Sequence, residues 1–249
     1  MRYFFEISYN GTNYHGWQNQ ANAIGVQQIV EESLTKIFRE EVSIVGSGRT
    51  DTGVHCAQQF FHADIAQKFD SETGIIKLNS LLPKDIAIRS ILPVMPEAHA
   101  RYDAIERSYE YKITRVKDPL LTGYAYYFFR DLNLKTMNEA AALLIGTHDF
   151  KCFSKVKTDV SHFLCDLKKA HWNQKDHLLV FNISANRFLR GMVRAVVGSL
   201  LDVGSGKTSV KDFQKIIDSQ NRKNAGMNVP PEGLYLTNVK YPKKIFLTK

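Results

Sequence analysis

Apolar residues recur along this chain with two different periods. Tyr3 to Tyr9 is a run of aromatic and β-branched residues closed by the turn-forming Asn10-Gly11-Thr12-Asn13, which predicts a strand. From Val26 to Phe38 the spacing of Ile29, Val30, Ser33, Leu34, Ile37 and Phe38 predicts an amphipathic helix. Strands are expected over Val42 to Val45 and His55 to Ile65, on either side of the Gly-rich run Gly46 to Gly53. A helix over Ser71 to Leu81 must stop before Pro83, and Ile86 to Leu92 reads as a strand. The second half repeats the theme. Strands are expected at Tyr109 to Arg115, His162 to Trp172, Leu178 to Ser184 and Gly233 to Tyr241, and helices at Lys135 to Ile145, Asn186 to Val203 and Ser209 to Ser219.

Each half therefore reads as the βαββαβ order of ferredoxin-like folds, with one extra helix in the second. The expectation is an α+β protein of two related domains, 1–100 and 101–249, meeting near Ala98 to Glu106. No Pro-rich or low-complexity linker separates them, so the halves are expected to pack together rather than to be tethered. Composition narrows the class. The 249 residues are 44% hydrophobic with only 15 Gly and 7 Pro, which excludes a disordered or fibrous chain. No apolar run approaches a membrane span, and Glu6 interrupts the N-terminus before a signal-like core develops, so a cytoplasmic protein is expected. Cys56, Cys152 and Cys165 are odd in number and contain no Cys-x-x-Cys, which argues against a disulfide framework or a Cys-rich zinc site. A net charge of +8 suits a polyanionic partner, most plainly nucleic acid.

The densest polar run, Ser47-Gly48-Arg49-Thr50-Asp51-Thr52-Gly53-Val54-His55, falls in a loop between two strands, where functional groups are commonly mounted. Taken alone it reads first as a turn held by Thr and Asp side chains. On a helix over Asn186 to Val203, Arg187, Arg190 and Arg194 would share one narrow sector of an otherwise apolar cylinder: a solvated face, or a phosphate contact. Gly204-Ser-Gly-Lys-Thr208 looks like part of a P-loop, but Leu201 stands where a glycine is needed and the run follows a helix. His55, His62, His148 and His162 lack metal-ligand spacing and read as structural. The aromatic run Tyr124 to Phe129 reads as core or dimer contact. Lys151, Lys155 and Lys157 nearby are candidates for an RNA-facing surface.

Read as a string, G-R-T-D-x-G-V-H closely resembles the motif of the tRNA pseudouridine synthase A family. Tyr14-His15-Gly16-Trp17-Gln18 with Gln20 resembles its Y-x-G-W-Q-x-Q. Ala100-Arg101 and Arg107-Ser108-Tyr109-Glu110-Tyr111 resemble its A-R-F and R-R-Y-x-Y. Met192-Val193-Arg194 with Val197-Gly198 resembles M-V-R-x-x-V-G, and Glu232 to Leu236 resembles E-G-L-Y-L. The resemblance implies conversion of uridine to pseudouridine at tRNA positions 38, 39 and 40, by a homodimer, without cofactor or metal. It places the catalytic aspartate at Asp51, the base-flipping arginine at Arg49, the active-site tyrosine at Tyr109 and the arginine that pairs with the aspartate at Arg194. Arg101, Arg187 and Arg190 are further candidates for binding the RNA. Ser108 departs from the family's usual arginine and Cys56 from its usual small residue.

The chemistry suits these residue types. The C1′–N1 bond of uridine must break and a C1′–C5 bond form. An ionised carboxylate can attack C1′, add at C6 of the ring, or take a proton from the ribose, and a neighbouring arginine favours the ionised form. Planar guanidinium suits the space that a flipped base leaves. A tyrosine can stack on the uracil while its hydroxyl assists a proton step. Two alternatives keep the same scaffold: a paralogue acting on other uridines or another RNA, and a non-catalytic RNA-binding protein.

Overall fold

The computed structural model describes residues 1–67, 69–155 and 160–247; Lys157 falls outside them. The fold is mixed α/β, and the chain divides into two compact units, Met1–Glu106 with Tyr235–Lys249, and Arg107–Leu234. The first contains β1 (Arg2–Tyr9), α1 (Val26–Phe38), β2 (Val45–Gly46), β3 (His55–Asp64), α2 (Ser71–Leu81) and β4 (Ile86–Pro93). The second contains β5 (Glu106–Thr114), β6 (Tyr126–Tyr127), α3 (Leu134–Ala142), β7 (Gly146–Asp149), β8 (Leu164–Lys175), β9 (Leu178–Ala185), α4 (Met192–Gly204) and α5 (Val210–Ser219). The last strand, β10 (Leu234–Lys240), belongs to the first unit from Tyr235 onward. The expectation places the division at 1–100 and 101–249; the compact units differ from it in that Tyr235–Lys249 groups with the first.

In the first unit β1 runs antiparallel between β3 and β4, and β2 lies antiparallel to β3. β10 joins β3 in parallel, with Tyr235 and Leu236 opposite His55 and Cys56. Phe4, Phe5, Ile7, Trp17, Leu34 and Phe61 are completely or almost completely buried, and the rings of Phe5 and Phe61 stack with centroids 4.8 Å apart. Each such side chain contributes about 1.5–3 kcal/mol of burial. α1 and α2 begin and end where the pattern predicts. For α2 the reasons are local: the Asp70 carboxylate accepts from the Thr73 N–H at 2.8 Å, and Pro83 forbids continuation. Strand Val42 to Val45, in contrast, is reduced to Val45–Gly46. The Ile44 N–H donates to Glu31 and its carbonyl accepts from Gln27, so α1 side chains occupy the groups that a longer strand would need.

In the second unit the sheet runs β5-β9-β8-β7, all antiparallel, with β6 parallel to β5. Its core is built on Tyr111, Phe150, Phe153, Trp172, Phe181 and Phe213. β7, Gly-Thr-His-Asp, has no apolar alternation and is not foreseen by pattern. The expected helix over Asn186 to Val203 is corrected as well: α4 starts at Met192, after Gly191 with φ +73°. The Asn186 backbone is already committed, its N–H to Asp166 and its carbonyl to Arg107, while the Arg190 carbonyl accepts from the Lys155 N–H. Arg187 and Arg190 therefore lie before the helix and form no stripe with Arg194.

Candidate active site

Asp51 sits half-buried in the loop between β2 and β3, with Arg49 exposed beside it and Thr50 buried. The loop is anchored from below. The Ser47 N–H donates to the Phe60 carbonyl at 2.7 Å, the hydroxyls of Tyr9 and Thr50 lie 2.9 Å apart, and the Val54 N–H turns back to the Asp51 carbonyl. It is also clasped by Tyr14-His-Gly-Trp17. Trp17 N–H donates to the Thr50 carbonyl and Gly53 N–H to the Tyr14 carbonyl, one on each side of Asp51. Contact is close enough that only glycine fits. A Cβ at Gly16, whose φ is +85°, would stand 2.3 Å from the Thr50 carbonyl oxygen, and one at Gly11 would stand 2.0 Å from that of Val54.

His55 joins the loop to the C-terminal strand. Its Nδ1 accepts from the Gly11 N–H at 3.1 Å and its ring stacks on Tyr235 at 4.7 Å. Segments that are separate motifs in the sequence, 14–18, 47–55 and 232–236, so come together in the first unit through Tyr14, Trp17, His55 and Tyr235. Tyr14 extends the network, its hydroxyl donating to Asp85 at 2.6 Å; burial, then that bond, raise its pKa. Arg101 is exposed on a turn after β4, with its guanidinium carbon 5.8 Å from the centre of the Tyr102 ring.

In the second unit Tyr109 lies half-buried on β5 opposite Ile183, its ring packed edge-on against Phe188 at 5.0 Å. Arg194 occupies the first turn of α4 and is clamped by the 225–230 segment. Its Nε–H donates to the Val229 carbonyl at 2.7 Å, and the Val229 N–H returns a bond to the Arg194 carbonyl. That segment is pressed onto the helix: Gly226 N–H donates to Ser199, and a Cβ at Gly198 would stand 1.8 Å from the Met227 carbonyl oxygen. Sequence reasoning did not identify this strap; Gly226 and Pro230-Pro231 are the only local signals of it. Arg187 is half-buried with Nη1 3.2 Å from His162, and Arg190 is exposed. Lys151 lies over the Phe163 ring at 5.7 Å.

The remaining polar features have structural partners. His62 accepts from the Ala100 N–H, and burial, then Arg2, push its pKa down to about 4. His148 lies 2.9 Å from the Ile145 carbonyl. The P-loop-like run is the end of α4, where Lys207 pairs with Asp202 at 3.1 Å. All three cysteines are free and buried, and desolvation raises each thiol pKa, for Cys165 to about 11. Among the described residues no group of three His, Cys, Asp or Glu could hold a metal ion, and no helix is long and apolar enough to cross a membrane.

A family model described as tRNA pseudouridine synthase matches residues 7–103 and 140–242 of the chain. A tRNA pseudouridine synthase A of Porphyromonas gingivalis is 48% identical over 99% of both chains. Its counterpart from Bacteroides fragilis is 47% identical over 99% of this chain and 98% of its own. One from Caldicellulosiruptor bescii is 38% identical over 94% and 97%.

Proposed function

Since this chain belongs to the tRNA pseudouridine synthase family, isomerases that convert uridine to pseudouridine, we propose that its targets are uridines of the anticodon stem-loop, at tRNA positions 38, 39 and 40, and that Asp51 is the catalytic carboxylate. The observation that carries this reading is the convergence of distant segments on the Asp51 loop. Gly11, Gly16, Trp17, His55 and Tyr235 all serve to hold that one loop in place. A rigidly mounted carboxylate, half-exposed at the tip of a sheet, is what a reaction dependent on positioning needs.

The C1′–N1 bond breaks, C1′–C5 forms, and N1 gains a proton while C5 loses one, so the isomerisation balances without oxidant, reductant or cofactor. Asp51 acts on C1′, C6 or the ribose. Arg49 fills the space of the flipped base, Tyr109 stacks on the uracil and moves a proton, and Arg194 supplies the positive charge that the carboxylate requires. Arg101, Arg187 and Arg190 bind phosphates. The β4-β1-β3-β2 order of the first unit supports the ferredoxin-like reading of the halves. A cytoplasmic homodimer completes the proposal, supported by the exposed Leu120, Tyr127 and Phe129. The test is tritium release from C5-labelled uridine in tRNA, followed by mapping of the modified positions. Asp51→Asn is expected to abolish release while retaining tRNA binding. Turnover within about tenfold of wild type would refute the assignment.

A further inference from the structure

The turn that follows β4 carries an arrangement that the Asp51 loop does not use. Its tip is Arg101-Tyr102, both exposed, with Tyr102 at 76%. Beneath the tip the backbone is fixed bond by bond. The His99 N–H donates to the Asp103 carboxylate at 2.7 Å, and the Asp103 N–H returns to the His99 carbonyl at 3.0 Å. The Ala100 N–H donates to His62 Nδ1 at 3.1 Å. The N–H groups of Arg101 and Tyr102 both donate to His99 Nδ1, at 3.1 and 3.3 Å. The Ala100 carbonyl accepts from the Tyr241 hydroxyl at 2.6 Å and the Ala98 carbonyl from Arg2 at 3.1 Å. A ring nitrogen that receives two donors must carry a lone pair, so His99 is neutral here; burial, then Arg2, lower its pKa accordingly.

An exposed tyrosine on a mobile loop calls for no explanation. This one stands on a backbone that has little freedom left, and its ring rests on the His99 ring at 4.3 Å with the planes 34° apart. A side chain with two torsions on a fixed backbone has little entropy to lose when something stacks on it. The guanidinium of Arg101, whose carbon lies over the Tyr102 ring at 5.8 Å from its centre, provides a charge for a phosphate, and the chain carries a net +8. Ring and cation together match a nucleotide better than an apolar protein surface. We propose that the Arg101-Tyr102 tip is a stacking contact for an unpaired base of the RNA substrate, with His99 and Asp103 as the residues that position it. This inference rests on the reading of the chain as a tRNA-modifying enzyme.

The test measures binding of unmodified tRNA to the full-length protein across a salt series. Tyr102→Ala is expected to weaken binding about 5- to 100-fold at every salt concentration, to raise KM by the same factor, and to leave the slope of log affinity against log salt unchanged. Tyr102→Phe, which keeps the ring, is expected to restore the affinity. Arg101→Ala is expected to lower the slope by about 1, as loss of one phosphate contact requires. If Tyr102→Ala binds like wild type while keeping the wild-type denaturation midpoint, the stacking contact is overturned and the Asp51 assignment stands. If wild type itself releases no tritium, the enzymatic reading falls instead. A change in the protein's sedimentation alone, with tRNA affinity intact, would assign the tip to a contact between two copies and also overturn the proposal.

Discussion

Replacing Gly16 by alanine tests whether the clasp on the Asp51 loop does what its geometry says. The backbone at Gly16 has φ +85°, a conformation that costs an L-residue about 1–2 kcal/mol. The added methyl would also stand 2.3 Å from the Thr50 carbonyl oxygen and 3.1 Å from the Asp51 carbonyl carbon, both of them backbone atoms that cannot rotate away. Ordinary contact requires the loop to retreat by about 1 Å, and overpacking of this kind costs about 1–3 kcal/mol. Gly16→Ala is therefore expected to destabilise the protein by about 2–5 kcal/mol in urea titration. The displaced atoms belong to the loop proposed to carry the catalytic carboxylate, so kcat in the tritium-release assay should fall about 100-fold at temperatures where the variant remains folded. Gly48→Ala is the internal control. It lies in the same loop, but nothing stands within 4 Å of its added methyl, and it should be near wild type in both measurements. A Gly16→Ala protein that loses stability yet turns over normally would show that the carboxylate tolerates displacement, and the idea of a rigid mount would be wrong.

Tyr109→Phe keeps the edge-on packing against Phe188 but loses the hydroxyl, so kcat should fall strongly with little change in tRNA affinity; equal activity would remove the proton-transfer role. Arg194→Ala deletes both the charge and the bond to the Val229 carbonyl, and turnover should collapse. Arg194→Lys retains the charge and should recover part of the activity, whereas Arg187→Ala should chiefly weaken RNA binding; normal turnover in Arg194→Ala would refute its place in the catalytic set. His62 has a pKa of about 4 in the folded protein against about 6.5 unfolded, so the unfolded state takes up its proton first. Stability should be fully present above pH 6.5 and should fall by about 3 kcal/mol as the pH drops to 4; His62→Gln should flatten that part of the profile.

The parts of the fold legible in the sequence are those decided by neighbours along the chain. α1 and α2 follow from apolar spacing, with Asp70 and Pro83 marking the ends of the second. Where a partner far away in the sequence decides, the pattern misleads. Nothing near Ile44 announces that Gln27 and Glu31 take its backbone groups, and nothing near Asn186 announces that Asp166 and Arg107 do the same. The fate of β10 is hidden for the same reason, because a strand's own residues do not say which unit it completes. The candidate site divides in the same way. Asp51 and Arg49 stand out because their loop is a dense polar string, and Gly16 lies in a recognisable segment. The strap from 225 to 230 that clamps Arg194 acts through main-chain groups, which carry no side-chain signature.

The parallel pairing of Tyr235 with His55 also sets an order of events during synthesis. The Asp51 loop is made early, but the ring that stacks on His55 and the strand that flanks β3 leave the ribosome about 180 residues later. At about 5–20 residues per second that is a delay on the order of 10–40 seconds, through which the His55–Cys56 end of β3 waits for β10 while β2 already covers His62 and Phe61. The residues of the second unit emerge during that interval. The nascent chain is thus held short of a finished Asp51 loop until Tyr235 arrives. Truncations that stop before β10 should leave a sticky strand edge as well as a slack loop, and chaperone dependence should be concentrated in the first unit.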